Sequence, residues 1–131
     1  MSNAISFLKD KGIQPTAQRI AIAEALLGNT QHPTADDILA EAQKRCAIVS
    51  RATVYNTLNL FVEKGMLRTQ LLKEGTVVFD PNLQKHHHFI DEEDGTIIDI
   101  PWNWLTVQGR QKLEDYDIDE YQVILRGRRK R

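Results

Sequence analysis

Residues 49–69 read VSRATVYNTLNLFVEKGMLRT, and the fold turns on whether this stretch is an ordinary core helix or one that presents a face to something else. Ser50 is a natural N-cap type. Val54, Leu58, Phe61 and Val62 recur at helical spacing and form one apolar stripe. Gly65 suits the left-handed position just past a helix end. The other face carries Arg51, Thr53, Tyr55 and Asn56 near its start. Taken alone, that face reads equally well as a solvated surface or as a nucleic-acid reader. In the second reading Arg51 can pair with guanine or phosphate. Thr53 and Tyr55 can touch thymine methyls or phosphates, and Asn56 can read adenine or anchor the backbone. Ser50 and the helix N-terminus can hold a phosphate.

The chain just after the helix favours the reader. Beyond Gly65 the apolar period changes from 3.6 to 2. MLRTQLL and TVVFD flank KEG, with Gly75 in the turn, which predicts a β-hairpin. A helix followed by a hairpin suggests a winged helix-turn-helix, whose last helix enters the major groove. Upstream, three shorter stretches also read as helices. ISFLKDKG stops at Gly12, and PTAQRIAIAEALLGN is closed by Gly28-Asn29. PTADDILAEAQKRC starts at Thr34, whose hydroxyl can accept a backbone N–H from Asp36 or Asp37.

Downstream, the polar DPNLQ around Pro81 marks a boundary. The expected domains are 1–80, a winged-helix DNA-binding unit, and 81–131, a smaller α/β unit. In the latter, HHFID, a tight EEDG turn, TIIDI, a helix-like NWLTVQGRQKLEDY and a final EYQVILRG follow in order. The fold class expected is therefore α+β.

The bulk numbers bound this reading. With 131 residues, 41% hydrophobic and 27% charged, the chain is an ordinary globular one. A net charge of −1 neither supports nor excludes a polyanion partner, so patterning decides. One cysteine, Cys46, excludes an internal disulfide or thiolate cluster within the chain, and it reads as a small packed side chain. No apolar run suits a membrane span, and the start lacks the apolar core of a signal peptide, so a cytoplasmic location is expected.

A second constellation lies in HHHF, residues 86–89. On a strand, His86 and His88 point the same way and His87 the other. Asp80 lies just upstream, Asp99 sits in the next strand, and His32 stands before a helix of the first half. Two imidazoles plus carboxylates suit Fe²⁺, Mn²⁺ or Zn²⁺. The competing reading is a solvated histidine loop beside a solvated acidic turn at Asp91 to Asp94. Trp102 and Trp104 read as core or dimer-interface residues.

At these residues the chain resembles the ferric uptake regulator superfamily. The stretches that carry the resemblance are GIQPTAQRIAI, HPTADDIL, VSRATVYNTLNLFVEKGML, FDPN, HHHF, DGTIIDI and YQVILRGRRKR. It covers nearly the whole chain. The resemblance implies an N-terminal winged helix, a C-terminal α/β dimerisation domain, and a homodimer that binds a palindromic DNA operator. It implies sensing of iron, manganese, zinc, peroxide or haem. By position, the family's regulatory metal site falls on His32, Asp80, His86, His88 and Asp99, and its DNA contacts fall on Tyr55 and its neighbours. Arg19 matches an arginine of the family's second helix, whereas Gln14 replaces a basic residue found in some members.

The departures narrow the branch. Asp91 and Asp94 replace the first of two Cys-x-x-Cys pairs, which excludes a structural zinc held by four cysteines. A further histidine-containing site looks broken, because DIDEYQVIL offers no histidine. The triple histidine most resembles the iron response regulator branch, where it is associated with haem at His86, His87 and His88. That branch's Cys-Pro motif is missing, since Ala47 follows Cys46. The peroxide-sensing branch, which uses the same five ligand positions, is the second comparison. Two other classes stay open: a small non-haem metal enzyme using a His/Asp facial site, and a metal-free DNA-binding protein.

Overall fold

The structure, a computed structural model, describes residues 3–28, 32–73 and 75–131. It divides the chain into two compact units, Met1–Leu83 and Gln84–Arg131. Asn29, expected at a helix end, and Glu74, expected in the hairpin turn, lie outside the described residues.

The first unit runs α1 (Asn3–Lys9), α2 (Ala17–Leu27), α3 (Ala35–Arg45), α4 (Arg51–Glu63), β1 (Arg68–Lys73) and β2 (Thr76–Asp80). Its helix starts follow from local side-chain chemistry. Thr16, Thr34 and Ser50 each accept a backbone N–H from the residue three further on. At Thr34 the bond is reciprocal: Asp37 accepts the Thr34 N–H in return, a full capping box. Gly65 takes φ +71°, and this left-handed turn lets the Met66 N–H donate to the Phe61 carbonyl at 2.9 Å.

Val54, Leu58 and Phe61 of α4 are fully buried, against Ile22 and Leu26 of α2, Ile38 of α3 and Leu8 of α1 in one core. Phe7 meets the Phe61 ring edge-on at 5.6 Å. Val62, the fourth residue of the expected stripe, is only partly buried. β1 and β2 pair antiparallel, Arg68 opposite Asp80 and Thr69 opposite Phe79.

The second unit is a three-stranded sheet in the order β4-β3-β5, with β3 (His86–Asp91), β4 (Ile97–Pro101) and β5 (Ile124–Gly127). β4 pairs antiparallel with β3 and β5 pairs parallel. The helix expected over NWLTVQGRQKLEDY does not form. Single 3₁₀ turns stand at Trp102–Trp104 and Arg110–Lys112 instead. The reason is in the residues. Trp102, Trp104, Leu105 and Val107 do not share a helical stripe, and Gly109 at φ +85° interrupts any continuous helix. The last strand is also shorter than EYQVILRG suggested, starting at Ile124.

Candidate metal centre and nucleic-acid face

β3 alternates its side chains, so His86 and His88 share one side of the strand. Register places His88 directly opposite Asp99 of β4. The Nε2 atoms of His86 and His88 each lie 3.6 Å from Asp99 Oδ1, and the two rings stand 4.6 Å apart. An ion with bonds of about 2.1 Å separates its donors by roughly 3.0–3.4 Å, so these three atoms are spaced for one ion after a small contraction.

The far side of each ring fixes which nitrogen is available. His86 Nδ1 faces the Gln84 carbonyl at 2.5 Å, and His88 Nδ1 faces Gln122 Oε1 at 2.8 Å. A carbonyl oxygen only accepts, so each Nδ1 carries the proton and donates it. Each Nε2 then offers its lone pair on the Asp99 side. A donated Nδ1–H is how ligating histidines are ordinarily oriented. The donor set therefore fits a borderline divalent ion, Fe²⁺, Mn²⁺ or Zn²⁺.

His87 is built the other way round. Its Nδ1 accepts the Val123 N–H at 2.9 Å, which leaves the proton of the neutral ring on Nε2. Its ring is fully buried and stacks on Trp102 at 4.5 Å, with Tyr121 at 6.4 Å. A protonated Nε2 has no lone pair for iron, so His87 in this form is a packing residue. Of the two tryptophans, Trp102 joins this stack, and Trp104 is 72% exposed.

In the first unit, His32 Nε2 lies 3.4 Å from Asp80 Oδ2, with both side chains almost fully buried. The Phe79 N–H donates to the Pro33 carbonyl at 2.8 Å, which ties the segment after His32 to β2 beside Asp80. His32 itself takes φ +58°, a left-handed conformation uncommon outside glycine, though asparagine, aspartate and histidine adopt it more readily than other residues. Such a conformation persists only where surrounding contacts hold it.

The acidic turn is mixed. Glu92, Glu93 and Asp94 are exposed, but Asp91 is buried and its Oδ1 accepts the Glu93 N–H at 2.9 Å. Hydrogen bonds from the Thr96 backbone and side chain hold the Asp94 carboxyl below its ordinary range. Cys46 is partly buried at the end of α3.

On α4, Arg51, Tyr55 and Asn56 are exposed, opposite the buried stripe, and Thr53 is half-buried with its hydroxyl 3.0 Å from that of Ser50. Arg51 is paired with Asp36 at the start of α3. That hydrogen bond and charge push the guanidinium's hold on its proton above the ordinary value. Tyr55 and Asn59 line a cleft of about 490 Å³ with Thr34 and Asp36 of the α3 start and Thr69, Val77 and Phe79 of the hairpin. Arg19, on α2, donates from Nη1 to the Gln14 carbonyl at 3.1 Å. Asn59 and Gln122 are not singled out by the sequence, and Asp36 is read there only as part of a helix start. Asn59, four residues after Tyr55, could have been found from helical spacing; Asp36 and Gln122 had no local signal, their partners Arg51 and His88 lying 15 and 34 residues away.

Helices closed by a hairpin wing, the last with a polar outer face, define a class: winged-helix DNA-binding proteins. The chain belongs to the ferric uptake regulator family, whose sequence profile matches residues 10–126. Members of that family are transcription regulators, not enzymes. The chain is similar to the peroxide-responsive repressor PerR of Staphylococcus aureus strain Mu50, 31% identical over 129 residues, covering 97% of this chain and 87% of the relative. It is similar in structure to the Vibrio cholerae ferric uptake regulator, at 25% identity and a TM-score of 0.72, covering 95% of this chain and 98% of that one. A zinc-bound manganese uptake regulator shares the fold at 22% identity and a TM-score of 0.73, over 98% and 99% of the two chains. These relatives include the peroxide-sensing branch and say nothing of the iron response branch.

Proposed function

We propose that this family member is a homodimeric, metal-responsive transcription regulator of metal homeostasis or oxidative-stress genes, whose effector is a divalent ion held by His86, His88 and Asp99, with His32 and Asp80 as the remaining ligands. The observation that carries the metal reading is the pair of aligned rings: two buried imidazoles turn Nδ1 to a carbonyl oxygen and Nε2 to one carboxylate oxygen. A bound ion would supply the positive charge that holds imidazole and carboxylate ligands in one fixed arrangement. His86 and His88 supply neutral donors, and Asp99 and Asp80 supply negative charge.

The DNA-facing role rests on Arg51, Thr53, Tyr55 and Asn56, with Ser50 at the α4 N-terminus and Arg19 on α2. The operator is a palindromic duplex, matching the two-fold symmetry of a homodimer. Exposed apolar side chains on the second unit, Ile98 at 51%, Trp104 at 72% and Leu125 at 40%, offer surface to a second copy. No helix among the described residues is long and apolar enough to cross a membrane. No observation favours haem over a simple ion, because His87 is buried with its Nε2 proton in place.

The test is metal analysis of the gently purified protein, then titration with Fe²⁺, Mn²⁺, Zn²⁺ and haem in parallel at fixed salt. One divalent ion per chain, lost in His86→Ala with His88→Ala, is the expected result. A Soret band with stoichiometric haem and no divalent ion would overturn the ion reading.

A further inference from the structure

The segment Tyr121–Val123 touches every histidine of β3 that does not face Gln84. Gln122 Oε1 accepts from His88 Nδ1 at 2.8 Å. The Val123 N–H donates to His87 Nδ1 at 2.9 Å, and the Val123 carbonyl accepts the His88 N–H at 3.1 Å. β5 begins at the next residue, with Ile124 in register with His88. Two neighbouring residues of one segment thus set opposite tautomers on two neighbouring histidines.

We propose that Gln122 is a positioning residue of the metal centre, and that its side-chain carbonyl presents the His88 Nε2 lone pair to the ion. This rests on the metal reading above. The chemistry is specific to an acceptor. His88 is fully buried, and its Nδ1 proton needs a partner there. With an acceptor at Nδ1, the proton stays on that nitrogen and the ring is held with Nε2 toward Asp99. Without one, the Nδ1–H is left to water at the edge of the segment, the Nε2–H tautomer gains population, and the ring loses its fixed orientation. Oxygen partners of ligating imidazoles ordinarily change metal affinity by 10- to 100-fold. Gln122 is itself exposed, so water partly substitutes and the lower end applies.

The experiment uses the full chain and Mn²⁺, with free ion counted by electron paramagnetic resonance, and reads ring ¹⁵N shifts of His88 in the ion-free protein. Gln122→Leu should bind Mn²⁺ about ten-fold more weakly than wild type and shift His88 toward the Nε2–H tautomer. Gln122→Glu keeps an acceptor and should bind at least as tightly as wild type. Should Gln122→Leu fail to fold, Gln122→Asn, with its carbonyl withdrawn by one methylene, takes its place with the same expected loss.

Equal affinity of wild type and the folded Leu or Asn variant overturns the proposal. So does equal weakening in Leu and Glu variants, which marks a purely structural role. If wild type itself binds no Mn²⁺, Fe²⁺ or Zn²⁺, the metal reading falls first, and the positioning role falls with it.

Discussion

His86, His87 and His88 are chemically identical and adjacent, yet their partners divide them. His86 and His88 donate at Nδ1 to oxygens; His87 accepts at Nδ1 from a backbone N–H. The division predicts separable phenotypes. His88→Ala should lower divalent-ion affinity by at least about 100-fold, since a proposed ligand is gone. His87→Phe keeps the stacking on Trp102 but leaves the Val123 N–H without its acceptor. It should leave ion stoichiometry unchanged and cost about 1–3 kcal/mol in thermal or urea unfolding. Reversed phenotypes would mean that the tautomers are assigned the wrong way round.

Asp94 gives a pH-dependent prediction at the same scale. Its folded carboxyl is held below the usual 3.8 by Thr96. A depressed carboxylate stabilises the fold at pH above its unfolded value, and that contribution is lost as acid protonates the folded group. The melting-temperature gap between wild type and Asp94→Ala should therefore be open at neutral pH and close as acid protonates the folded carboxyl, below the usual 3.8. A gap independent of pH would remove the hydrogen-bond explanation.

Among the elements, α4 carries two independent burdens. Its inner stripe holds the first unit together: Leu58→Ala should cost about 2–5 kcal/mol, read from chemical denaturation. Its outer face is the one proposed to read DNA: Arg51→Ala with Asn56→Ala should leave unfolding within about 0.5 kcal/mol of wild type and weaken operator binding at least ten-fold. Loss of stability without loss of DNA affinity would reassign that face.

This helix was legible in the sequence, Val62 of the expected stripe excepted, because its signals are local: Ser50 caps it, Val54, Leu58 and Phe61 line it, and Gly65 ends it. The hairpin was legible for the same reason, through alternation around Gly75. The segment after Trp102 was not. Its tryptophans and leucines suggested a helix by composition, but their spacing and Gly109 leave only two short turns. The candidate site was legible in part. Strand alternation put His86 and His88 together and set His87 apart. The tautomers were invisible, since they depend on Gln84, Gln122 and Val123, and the last two are distant in sequence.

At the scale of the whole molecule, the family assignment gives a metal-responsive transcription regulator, and the proposed metal centre and α4 face carry the two functions such a protein couples. The net charge of −1 means that DNA affinity must come from the local α4 face, not from a general positive field. It should thus fall with salt at a slope set by the few phosphates that Arg51 and Arg19 neutralise, and stay selective for sequence.

The most direct test is selection of duplexes from a random-sequence pool, with Mn²⁺-loaded protein, metal-stripped protein and the His86→Ala/His88→Ala variant in parallel at fixed salt. The account predicts a palindromic motif enriched by the loaded wild type alone. The same enrichment by the stripped protein or the variant, or no motif under any of the three conditions, would contradict it.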